Sequence, residues 1–203
     1  MRKEIVGRRS SRCFRLTALA ALSVLVSSVC ASGAIGTQRA ARGCGATVKV
    51  TDHAQYVVNR YLKDEMRYVP GSTTIRSGCD LTFEFATPGQ NDPHSLSIVN
   101  RADLPRTDAQ MEACPVCKAI KSKHVGDPTL PAGPKNPILH WTVNVGKPGL
   151  DEPGDSLGIF ESAKKGAPPG HQKATVRVTA PAGTTLYFMG GMHPWMQGKI
   201  VVT

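Results

Sequence analysis

From residue 44 onward the apolar positions recur mostly at every second residue, in short runs broken by Gly, Pro, Asn and Asp. Successive side chains leave a strand on opposite faces, so this period is that of half-buried strands. Thr47–Thr51 alternates in this way. Met66–Val69 is a short extended piece ending at Pro70, and Ser72–Arg76 is rich in β-formers. Ser77–Gly78 is a turn before Leu81–Phe85, which alternates again. A polar loop, Thr87–Pro93, leads into His94 and the strand Ser95–Val99. Towards the C terminus, Ala174–Val178, Thr184–Met189 and Lys199–Thr203 predict three more strands, with a turn at Ala180–Gly183 and a loop at Gly190–Gln197. Gln55–Lys63 fits a short helix or a loop equally well. No internal repeat and no sustained helical period are present. The pattern predicts an all-β fold, a Greek-key antiparallel β-sandwich of seven or so short strands.

Residues 101–172 depart from that pattern and read as a long, partly helical insertion. Thr107 followed by Gln110 matches a capping box, which predicts a helix start. Cys114 can cap a second short helix running to about His124, with Pro115 in its first position. Asp127–Pro137 is a loop rich in Pro and Gly, and Ile138–Val145 alternates as a strand does. Leu157–Phe160 is a short apolar stretch between the loops Lys147–Asp155 and Lys164–Gln172.

Composition agrees with this outline. Only 5% of residues are aromatic, against 20 Gly and 15 Pro, a usage suited to many turns and short strands. The formal charge of +10 is uneven. Six of the 25 Lys and Arg fall in the first thirty residues, and the remainder has 19 basic against 14 acidic residues, or +5. Arg2, Lys3, Arg8, Arg9, Arg12 and Arg15 form a basic start. Leu16–Val29 is an apolar core, and Ser32 and Ala34 suit positions −3 and −1 of a cleavage site after Ala34. Residues 1–34 therefore read as a signal peptide, 35–43 as a linker and 44–203 as the mature domain. The uncharged run from Leu16 to Gln38 is long enough to span a bilayer, so a membrane enters only if the segment is retained as an anchor. The expected location is extracytoplasmic: periplasmic, secreted or at the cell surface. No interleaved basic and aromatic pattern points to nucleic acid. No Ser–His–Asp set, phosphate loop or carboxylate pair stands in a convincing context, so the chain is not expected to be an enzyme.

Export sets the cysteine arithmetic. Cys13 and Cys30 belong to the signal segment, leaving Cys44, Cys79, Cys114 and Cys117 in an oxidising compartment. Four cysteines allow three pairings, of which Cys44–Cys79 with Cys114–Cys117 is preferred. The Cys114-Pro-Val-Cys117 motif reads first as a structural disulfide. Thiol exchange lacks the βαβ context of redox motifs. A metal site of Cys114, Cys117 and His124 lacks a visible fourth ligand, and Lys118 stands where attached haem needs histidine.

The run PAGTTLYFMGGMHPWMQGKIVV sets His193 and Met196 three residues apart in a tight loop between strands. One imidazole and one thioether suit copper, Cu(I) especially. A second imidazole, His94, starts a distant strand that a sandwich can bring to the same end. Two patterns, MRYVP…TTIRSGCDLTFEF…PHSLSIV and PAGTTLYF…HPWMQGKIVV, resemble the cupredoxins, most closely plastocyanin- and azurin-like bacterial copper proteins. They cover both ends of residues 64–203 around a divergent middle. The resemblance implies a one-electron copper carrier, with a redox or copper-delivery protein as partner. Residue by residue it places the two histidine ligands at His94 and His193, the weak axial methionine at Met196, and the thiolate at the position held by Gly190. Glycine offers no sulfur, and the short copper–thiolate bond is what tunes such a centre.

Three readings follow. Copper is held by His94, His193 and Met196, with water or an outside ligand beside Gly190, which favours binding or carriage over electron relay. Alternatively, Cys114, Cys117 or His124 swings in as a substitute; Met189 points to the wrong strand face for that. Or the domain is a metal-free structural or interaction sandwich. Taken singly, His94 is an ordinary loop-to-strand histidine and Met196 a core gap-filler. Trp195 reads as packing over the edge of the site, Met189 and Met192 as packing, and Lys118, Lys121 and Lys123 as a solvated helix face. The first reading is the expectation, with one copper ion as cofactor.

Overall fold

The computed structural model describes residues 44–203 except 52, 88–91, 128, 132, 134 and 162–169. The expected signal peptide, its cleavage site and the linker, with Cys13 and Cys30, lie outside the described residues. No helix among the described residues is long and apolar enough to cross a membrane.

Twelve strands are described: β1 (Ala46–Thr51), β2 (Ala54–Val57), β3 (Tyr61–Asp64), β4 (Arg67–Val69), β5 (Ser72–Ile75), β6 (Asp80–Phe85), β7 (His94–Val99), β8 (Thr142–Val143), β9 (Ser156–Ile159), β10 (Lys173–Arg177), β11 (Thr185–Met189) and β12 (Gln197–Val202). One sheet runs β10-β6-β1-β4 and the other β5-β12-β11-β7-β9-β8. The chain crosses between them repeatedly, and their inner faces meet in one core. Val48, Leu81 and Phe83 of the first sheet pack there with Leu96, Phe188 and Ile200 of the second. The Tyr68 ring joins the two layers, edge-on to Phe188 with centroids 4.9 Å apart.

The chain thus forms the expected β-sandwich with a helical insertion. Two of its pairings are parallel where antiparallel ones were expected: β1 with β6, and β5 with β12. In each case the chain visits the other sheet between the two partners, the crossover that a parallel pair requires. Cys44 is disulfide-bonded to Cys79, which joins the residues just before β1 and β6 at their parallel ends.

Gln55–Lys63, open between helix and loop, is the hairpin β2–β3, whose turn uses Asn59 at φ 58°. Asparagine tolerates that left-handed conformation better than most residues. The strand expected over Ile138–Val145 shrinks to Thr142–Val143. Its first half is captured instead by the end of a helix, because Leu139 N and His140 N both donate to His124 O, at 3.0 and 3.3 Å.

The insertion forms α1 (Asp108–Ala113) and α2 (Pro115–His124). Thr107 caps the first, its side chain accepting from Gln110 N, and Cys114 caps the second, accepting from Cys117 N, with Pro115 opening the helix. Cys114 is paired with Cys117. This cystine packs with Ile120, Val99 and Met189 in a second, smaller apolar cluster. Met189 therefore faces the insertion rather than the inter-sheet core, as the strand period required. Asp155, fully buried, accepts from the backbone N–H groups of Val145, Asp151 and Glu152 and so closes the loop before β9.

Candidate metal centre

The loop between β11 and β12 is short and internally bonded. Gly190 N donates to Met196 O at 3.0 Å, and Met196 N donates to His193 O at 2.9 Å. These bonds fix His193 and Met196 on one turn. β7 lies beside β11, and its first residue is His94. The fold therefore brings both histidines to one end: their ring centroids are 4.7 Å apart, with the planes tilted by 36°.

His94 is buried, and its Nε2 has no hydrogen-bond partner among the described residues. Burial, followed by the nearby His193, pushes its pKa down to about 3. The ring is thus neutral at pH 7, the form in which an imidazole nitrogen binds metal. His193 is half-buried, with its Nδ1 enclosed. Aromatic rings bound the pair, Phe85 edge-on to His94 at 5.7 Å and Trp195 edge-on to His193 at 5.2 Å. Met196 is buried among core residues. The expected ligands fit copper in three respects: a neutral imidazole with a buried, unsatisfied nitrogen, a second imidazole beside it, and a thioether whose backbone is tied to the second histidine. Among the described residues no three His, Cys, Asp or Glu side chains gather as for a metal ion.

Gly190 is buried, and a Cβ built on it would lie 2.9 Å from His193 O and 3.3 Å from the Tyr68 hydroxyl. The loop has closed around the glycine, and a side chain there requires the His193 carbonyl to move. The substitutes weighed for the missing sulfur are engaged elsewhere. Cys114 and Cys117 are bonded to each other, so neither offers a thiolate. His124 is held at both nitrogens, by His140 O at 2.5 Å and Ser156 Oγ at 2.6 Å.

That last contact opens a buried polar chain the sequence reading missed. Ser156 Oγ lies 2.6 Å from Ser97 Oγ, which lies 3.0 Å from Ser95 Oγ, and Ser95 Oγ accepts from Gly191 N at 2.9 Å. A carbonyl can only accept, so His124 Nδ1 carries a proton toward His140 O. Desolvation lowers the pKa of this ring, which keeps Nε2 available to accept from Ser156. The chain runs from α2, across β9 and β7, to the loop that carries His193. A Cβ on Gly191 would lie 2.6 Å from Ile120 Cγ2, so a side chain there requires Ile120 to shift. The available signal was a run of alternate serines in HSLSIV, which reads as a solvent face but is fully buried under the insertion.

No protein-family model matches the chain. The comparison with curated proteins finds no match either. Among solved structures, it is similar to reduced auracyanin from Roseiflexus castenholzii, with 16% identity over 79% of this chain and 97% of that one and a TM-score of 0.36. It is also similar to auracyanin A, a "blue" copper protein from Chloroflexus aurantiacus, with 19% identity over 78% and 99% of the two chains and a TM-score of 0.37. A third similar structure is a purple cupredoxin from Nitrosopumilus maritimus, with 11% identity over 78% and 99% and a TM-score of 0.36.

Proposed function

We propose that this protein is an exported, non-enzymatic copper-binding protein that holds one copper ion with His94, His193 and Met196. The observation that carries this reading is the close imidazole pair, with the buried, unsatisfied Nε2 of His94. A buried polar atom without a partner costs free energy, and a bound cation is one way to recover it. Copper, when bound, supplies a one-electron change between its two common oxidation states.

The chain's own residues do the rest. Burial keeps His94 neutral, the turn hydrogen bonds hold His193 and Met196 on one loop, and Phe85 and Tyr68 shield the interior side. Met192 and Trp195, exposed at 41% and 43%, form an apolar rim beside the half-buried His193. That rim suits contact with a redox or copper-delivery protein. Gly190 leaves the centre without a thiolate, which favours carriage of copper over fast relay of electrons. Two disulfides and the basic, apolar N-terminal segment support a place outside the cytoplasm.

A metal-free interaction domain is the second reading, favoured by how closely the loop has closed on Gly190. Copper titration of the full chain against a competing chelator separates the two. Saturable uptake of one ion, weakened roughly 100-fold or more by His94→Ala or His193→Ala, supports the metal centre; residues that merely stand behind ligands typically cost 10–100-fold. No uptake leaves the metal-free domain.

A further inference from the structure

The insertion does more than cover a sheet. Helix α2 packs through Cys117 and Ile120 onto the outer face of the second sheet, beside Val99 and Met189. Toward the His94 end, a cleft of about 410 Å³ lies between α2, the loop after it, the start of β7 and the loop before β12. Protein interiors are close-packed, and clefts of this size are typical of small-molecule sites. Its wall is largely apolar, with Ile120 and Met192 among the lining side chains. Its polar side chains are two lysines, two neutral imidazoles and the hydroxyls of Ser95, Ser122 and Thr129. Lys118 and Lys121 line it from α2, His94 and His124 from its inner side, and no Asp or Glu lines it among the described residues. Neither lysine takes part in a salt bridge among the described residues. Two ammonium groups one helical turn apart, over an apolar floor, offer charge to an anion and burial to its hydrocarbon part.

We propose that this cleft binds a small organic carboxylate with an apolar body. The carboxylate pairs with Lys118 and Lys121, and the body lies against Ile120 and Met192. Copper plays no part in this, so metal-free protein suffices for the test and failure of the copper reading leaves the proposal standing.

The test is titration of the metal-free full chain with benzoate at pH 7, followed by amide NMR. Expected are saturable shifts concentrated at residues 118–124 and 191–192, with a dissociation constant near or below about 1 mM. Lys118→Gln combined with Lys121→Gln weakens binding roughly tenfold or more, and uncharged benzyl alcohol binds more weakly by a similar factor. Both lysines are exposed, so these variants keep the fold. Lys123→Gln removes a charge from the same helix outside the cleft and leaves binding unchanged. No saturation at about ten times that concentration overturns the proposal, as do equal binding of benzyl alcohol and equal weakening by Lys123→Gln.

Discussion

The His124 ring on α2 and the Ser156 hydroxyl on β9 meet at 2.6 Å, both buried, and this contact ties the insertion to the sheet that carries His94. Ser156→Ala removes the partner of His124 Nε2 and interrupts the chain toward Gly191. A buried acceptor left unsatisfied costs about 1–3 kcal/mol. Urea unfolding of Ser156→Ala should show a loss of that size, and His124→Phe a similar one. Loss of less than about 0.5 kcal/mol in both shows that the chain does not hold the insertion down.

Acid should weaken the metal-free protein. The unfolded chain takes a proton at the ordinary imidazole value, whereas buried His94 resists it down to a pKa of about 3. Between about pH 6.5 and 3 the unfolded state therefore binds more protons, and stability falls as pH falls through that window. His124 is shifted in the same direction, with burial the leading cause. Unfolding midpoints measured against pH should drop over this range, and His94→Phe should flatten the slope. A midpoint independent of pH from 6.5 to 4 contradicts the burial of these neutral rings.

Cys44–Cys79 closes a sequence separation of 35 residues. The chain-entropy relation assigns such a loop about 3–4 kcal/mol, against about 1.5–2 kcal/mol for the short Cys114–Cys117 loop. Replacing Cys44 and Cys79 together by alanine should lower the guanidinium midpoint more than replacing Cys114 and Cys117. The reverse ranking means that packing of the buried Cys114–Cys117 pair outweighs loop closure.

Gly190→Cys tests whether position 190 can supply a thiolate to the proposed centre. Its Cβ needs the space now held by His193 O, so the variant should lose about 1–3 kcal/mol in thermal unfolding. With Cu(II) it should nonetheless gain the intense visible band of a copper–thiolate bond. A folded, copper-loaded but colourless variant shows that position 190 does not face the metal.

Much of the architecture was readable in advance because alternation in β6, β11 and β12 matches one buried and one outer face. The caps at Thr107 and Cys114, the helix ending at His124 and the Cys114–Cys117 pair follow from local chemistry, and local chemistry survives folding, whereas Cys44–Cys79, 35 residues apart, was one preference among three pairings. The placement of His94 near His193 rested on β7 lying beside β11, a neighbour relation that the motif patterns implied. What escaped was non-local. Parallel pairing of β1 with β6 depends on where the chain goes between them. Ser95 and Ser97 look like water-facing positions until the insertion that follows β7 packs over them. His124 was weighed only as a spare ligand, because nothing near it in sequence names Ser156 or His140 as its partners.

The bond between Cys44 and Cys79 also decides how tension would pass through the molecule. Any pull arriving along the chain from residue 43 meets that covalent link before it reaches the hydrogen bonds of β1, and is handed to β6, which lies between β1 and β10 in its sheet. The first strand is thus spared from being peeled off for as long as those two sulfurs stay oxidised, and the load falls on the strands after Cys79.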